Sequence, residues 1–171
     1  MSRCLVFLLL LTSVLTAADT TKVAPNFYPN NVGAGAGVVT GLGISYRHWF
    51  RNTWGMQINV APFLRNDKDQ KTQMLSAGLA ALKIFKQSRF VNLIGYAGVS
   101  GFYLFDSTAA VDGEPAVITR DEHFYVGCGP GLDIHFWRLS FNIMTGLAFT
   151  FTDQWEPGLT VSGETALYFT F

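Results

Sequence analysis

The chain has 171 residues with 12 basic and 12 acidic side chains; hydrophobic residues make up 49% and charged residues only 14%. That charge content is low against the ~25% of an average soluble domain, and the balanced sign argues against a nucleic-acid partner. After the N-terminal leader, no segment holds the roughly 18 consecutive apolar residues of a membrane-spanning helix, so only strands are left to cross a bilayer.

Met1-Ser2-Arg3 carries positive charge, an apolar run follows over 4–15, and Thr16-Ala17-Ala18 offers small residues for cleavage. This is the pattern of a secretory signal peptide, placed at 1–18, and the run is too short to span as a helix. Cys4 stands at the start of the apolar run instead of after it, so a lipoprotein reading fails, and its removal leaves Cys128 without a disulfide partner. A polar leader covers 19–31. Strands are then predicted at 32–38, 42–50, 54–63, 72–85, 90–104, 123–136, 139–151 and 157–171, forming one domain over 32–171. Connections at 51–53, 86–89 and 137–138 are tight; those at 64–71, 105–122 and 152–156 are longer, and 39–41 is short for its place. Two segments are ambiguous. Residues 72–85 also read as an amphipathic helix through Met74, Leu75, Ala81, Leu82 and Phe85, and Pro130 inside a strand predicts a bulge.

Side chains on a strand alternate between faces. Leu139, Phe141, Ile143, Leu147, Phe149 and Phe151 share one face against Ser140, Asn142, Gly146, Ala148 and Thr150. The same two-residue period runs through 54–62 and 124–136, and through 157–171, where Leu159, Val161, Leu167, Phe169 and Phe171 oppose Ser162, Glu164 and Tyr168. Aromatics gather at strand ends. Trp49, Trp54, Trp137, Phe169 and Phe171 mark the tight-turn end, while Phe63, Phe102, Tyr125 and Trp155 mark the other, as two interfacial girdles would.

The final strand resembles the C-terminal strand of bacterial outer-membrane β-barrels, whose terminal signal is read by the barrel-assembly machinery. Glu164, Phe169 and Phe171 fit that signal, and Ala166 stands where glycine is usual, a departure bearing on assembly efficiency. The stretch from Gly41 through Tyr46, Arg47, His48, Trp49 and Phe50 to Trp54 resembles the second hairpin of small outer-membrane barrels. Signal peptide, hairpin and terminal strand together make nearly the whole chain similar to OmpA/OmpX-type domains. The resemblance implies an all-β, eight-stranded antiparallel transmembrane up-and-down barrel in the bacterial outer membrane, with both termini periplasmic. It also implies outer-membrane lipid, lipopolysaccharide and the barrel-assembly machinery as partners, and a monomer.

A lumen of eight strands is just wide enough for side chains to fill it. Arg47, Gln57, Asn59, Asn92, Asp133, His135, Asn142 and Glu164 are expected to line it, with Trp49, Tyr96 and Tyr168. Arg47 and Asp133 lie at similar heights on roughly opposite strands, placed to pair across the ring. The expectation is a polar network that plugs the barrel, since an unpaired buried charge is costly; the alternatives are a narrow solute channel and a soluble lipocalin-like barrel with its apolar faces inward. Bare inner-wall glycines at 33, 35, 37, 127, 129 and 131 make room for large side chains. No catalytic residues, metal ligands or cofactor are expected. Asp106, Ser107 and His123 are the types an acyltransferase uses, on a rim where such residues co-occur by chance. The acidic loop 105–122, with Asp106, Asp112, Glu114, Asp121 and Glu122, is either a solvated surface or a contact for a divalent cation or host protein. Cys128 reads as a small lipid-facing hydrophobe.

Overall fold

A computed structural model describes residues 28–50, 53–66, 70–88, 90–108, 117–152 and 157–171. The signal peptide, nearly all of the leader, Trp155, Asp112 and Glu114 lie outside them. Eight strands run in chain order: β1 Asn30–Gly37, β2 Gly43–Trp49, β3 Trp54–Asn66, β4 Gln70–Gln87, β5 Val91–Thr108, β6 Val117–Phe136, β7 Leu139–Thr152 and β8 Pro157–Thr170. Each pairs antiparallel with the next and β8 pairs with β1, closing the barrel. This is the all-β architecture that the alternation and the resemblance imply.

The faces follow the period of two. Ile58, Val60, Leu79, Val99, Val126, Leu132, Ile134, Phe141, Ile143, Leu147, Phe149, Leu167 and Phe169 point outward and are exposed, while polar and aromatic side chains close on the lumen. A lipocalin-like barrel needs the reverse. Cys128 is exposed on the outer wall.

One ambiguity is resolved in favour of the predicted strand, and two expectations are corrected. Residues 72–85 form the middle of β4, because Ser76, Gly78, Ala80 and Leu82 alternate with outward Leu75, Ala77, Leu79 and Ala81, and no helix can bury that set. Pro130 causes no bulge: it pairs with Gly95 in unbroken β5–β6 register, and the β6–β7 register is the same on either side of it. A proline lacks only the N–H, so a rung is lost without an extra residue being inserted. The bulge lies instead at Phe85, between Ile84 and Lys86, where the ring covers Gly95; a Cβ on that glycine would come within 2.6 Å of it. Finally, 105–122 is not all loop, since β5 and β6 stay paired out to Thr108 and Val117.

Strand lengths are uneven. β3 to β8 have 13 to 20 residues, but β1 has 8 and β2 has 7. A tilted strand needs roughly 9–11 residues to cross a membrane. β1 and β2 fall short of that length.

Candidate functional site

The lumen is filled in two tiers. Nearer the tight turns, Arg47 and Asp133 are fully buried, and both guanidinium Nη atoms donate to Asp133 Oδ1 at 3.2 Å. Ser140 completes the triangle, accepting from Arg47 Nη2 at 2.8 Å and donating to Asp133 Oδ1 at 2.5 Å. The guanidinium also sits over two rings, 4.2 Å from the centre of Tyr168 and 5.3 Å from that of Trp49. Such a cation has charge, hydrogen bonds and π-faces around it, which is what burial of a charge requires. His135 Nε2 lies 2.9 Å from both Asp133 Oδ2 and Asn92 Nδ2, so it donates to the carboxylate or accepts from the amide, not both at once. Beside this polar cluster, Leu82, Ile84, Ile94 and Met144 form a dry patch with Trp49 and Tyr96, and the lumen is thus not uniformly polar.

The second tier is the β1–β2 connection, which folds inward. Val39, Thr40 and Gly41 are buried inside the barrel. Glu164 holds them: its carboxylate accepts from Val39 N at 2.9 Å, Thr40 N at 3.0 Å and Thr40 Oγ1 at 2.6 Å. Asn59 Nδ2 donates to Gly41 O at 3.1 Å, Leu42 N donates to Ser76 Oγ at 2.9 Å, and Ser100 Oγ donates to Val38 O. Gly41 has a φ of +80°, which lets the chain turn back on itself. Gly78 gives it floor space, because a Cβ there would lie 2.1 Å from Thr40 O.

The residues expected in the lumen therefore separate by height. Arg47, Asp133, His135 and Asn92 meet in the lower tier, Glu164 and Asn59 grip the loop, and Gln57 bridges toward Asn59 at 3.3 Å. Asn142 is buried on β7 with no protein partner for either amide atom. Trp49, expected both in the lumen and in the tight-turn girdle, belongs to the lumen alone: it is buried, and a Cβ on Gly55 would meet its ring at 2.6 Å. Trp54, Trp137, Phe169 and Phe171 are exposed at the tight-turn end, with Lys83 Nζ 4.7 Å over the Trp54 ring. Phe63, Phe102 and Tyr125 fall on the inner faces of their strands by alternation, not in an outer girdle. The grip of Glu164 on the loop was not foreseen; the room made by Gly37, where a Cβ would strike the Glu164 carboxylate at 1.6 Å, is its trace in the sequence.

Asp106, Ser107 and His123 do not converge. Asp106 and Ser107 are consecutive on a strand and face opposite ways, Asp106 taking a hydrogen bond from Thr72 Oγ1 at 3.2 Å. His123 pairs with Phe102 whereas Asp106 pairs with Thr119, a separation of roughly 13 Å along the strands. Among the described residues, no group of three His, Cys, Asp or Glu side chains is placed to hold a metal ion.

No protein-family model and no curated protein matches the chain. A solved structure similar to it is Ail, the attachment invasion locus protein of Yersinia pestis, at 16% identity and a TM-score of 0.46, covering 83% of this chain and 96% of that one.

Proposed function

We propose that the chain is an integral outer-membrane β-barrel protein of the cell envelope, with a closed lumen and a structural or surface-interaction role. The observation that carries this reading is the outward apolar wall of a closed ring, which water would not tolerate and hydrocarbon would. Trp54, Trp137, Phe169 and Phe171 form the periplasmic girdle in this reading, and the chain ends stay on that side. Glu164, Phe169 and Phe171 serve as the signal to the assembly machinery, lipid and lipopolysaccharide surround a monomer, and the acidic residues beyond Phe105 face outward from the cell. Closure of the lumen rests on the two buried tiers, which leave little space for a solute.

Two measurements test it. A folded transmembrane barrel resists SDS until heated, so unboiled outer-membrane fractions should run at a different mobility from boiled ones. Purified protein in a planar bilayer should then be electrically silent. A single unshifted band in the soluble fraction would overturn the membrane reading; steady single-channel currents from the unmodified protein would overturn the closed lumen and favour the channel.

A further inference from the structure

The short β1–β2 hairpin leaves a gap in the wall. Gly37, the last residue of β1, pairs with Glu164, and Ile44 near the start of β2 pairs with Val60. Beyond these rungs β8 continues to Pro157 and β3 to Asn66, and no ladder among the described residues joins β3 to β8. The side chains bordering this gap are unusually bare: Ile44 72%, Leu64 76%, Leu159 64% and Val161 72% exposed. Their outward neighbours elsewhere on the wall have a strand on each side.

The height of the gap decides what it faces. A strand tilted by ~40° climbs about 2.5 Å per residue. From Phe169 in the tight-turn girdle, β8 has risen roughly 12 Å at Glu164 and roughly 25 Å at Leu159, against an apolar band ~25 Å tall. The gap thus opens at the level of outer-leaflet hydrocarbon. Behind it, above the inward-folded loop, the inner wall is apolar on the β3–β5 side and polar on the β6–β8 side, where His123, Thr150, Thr160 and Ser162 face in. Phe63 faces Met74 across the β3–β4 ladder, and the rings of Phe102 and Tyr125 meet edge to face at 5.7 Å. Phe63 and Leu104, though on inner faces, remain 51% and 38% exposed, so this vestibule is open. The rim of exposed aliphatics makes it continuous with the lipid-facing wall.

Resting on the membrane-spanning reading, we infer that the gap between β3 and β8 is a lateral portal through which an acyl chain of an outer-leaflet lipid enters and lies on the loop at 38–42. An apolar wall on β3–β5, a floor at mid-membrane and an entrance rimmed by exposed aliphatics match an alkyl chain. Thr160, exposed on the inner face of β8, stands at the entrance.

The test uses the full chain reconstituted in phosphatidylcholine vesicles, with a photoreactive benzoylphenylalanine at one position and mass spectrometry of lipid adducts. Leu147 on the outer wall reports membrane insertion, Phe102 reports the vestibule, and buried Ile94 reports the lumen below the loop. Adducts at 147 and 102 but not at 94 are expected. Phe63 is the second vestibule position if the protein labelled at 102 fails to fold, judged by heat-modifiable mobility. Thr160→Trp should abolish the vestibule adduct and leave that at 147. Labelling at 147 alone overturns the portal while keeping the membrane reading. No adduct at 147 overturns the membrane reading and the portal with it, and equal labelling at 94 and 102 overturns the portal because the loop would then bar nothing.

Discussion

Replacing Arg47 with alanine is expected to cost the barrel about 3–5 kcal/mol, the penalty for stranding one member of a buried ion pair. Asp133 would be left fully buried with Ser140 and His135 as its partners, and Tyr168 and Trp49 would face a hole where the guanidinium had been. Both effects act in the same direction. The double variant Arg47→Met with Asp133→Leu removes both charges and keeps volume, so it should lose far less than the sum of the single replacements. Urea unfolding in vesicles, read by heat-modifiable mobility, measures all three. A cost for Arg47→Ala below about 1 kcal/mol would mean that Asp133 is hydrated in the folded barrel, and the lower tier would not be the dry charge pair that its geometry describes.

How far the sequence reveals this arrangement depends on which physical rule sets each feature. Strand number, the inward and outward faces and the juxtaposition of Arg47 with Asp133 all follow from a period of two that polar and apolar residues obey along most of the chain. The helical alternative at 72–85 arose because Ala77, Gly78, Ala80 and Ala81 are too alike to show that period. Trp49 shares the parity of Arg47, so its inward face was legible; its place at a strand end suggested a girdle, and the bare Gly55 beside it decides for the lumen. The inward loop is a different matter. Its route depends on a left-handed Gly41 and on contacts with Glu164, Asn59, Ser76 and Ser100 from four other strands. No local pattern encodes those. The only hint is a connection too short for its side of the barrel; Gly37 reads as room for a large lumen side chain, whereas it makes way for the Glu164 carboxylate and Thr40.

Cutting the hold of Glu164 should open the barrel. Glu164→Ala removes the acceptor for Val39 N, Thr40 N and the Thr40 hydroxyl at once. Hydrogen bonds to a charged group contribute about 1.5–3 kcal/mol each, so even a net loss of about 3 kcal/mol moves the ratio of inserted to released loop by roughly two orders of magnitude. The expected result is single-channel current in planar bilayers where the unmodified protein gives none. Glu164→Gln, which keeps one carbonyl acceptor, should open less often than alanine. A variant that leaves the carboxylate untouched separates loop displacement from charge removal: Gly78→Val places its side chain where Thr40 O now lies, 2.1 Å from the new Cβ, and should release the loop by volume alone. Current from both Glu164→Ala and Gly78→Val identifies the loop as the closure. Silence from both, in protein that still shows the heat-dependent mobility shift, would assign closure to the tier below, around Arg47, Asp133, Trp49 and the Leu82–Ile94 patch. In that case the loop would be only the floor of the vestibule, and a channel could be made only by emptying the lower tier.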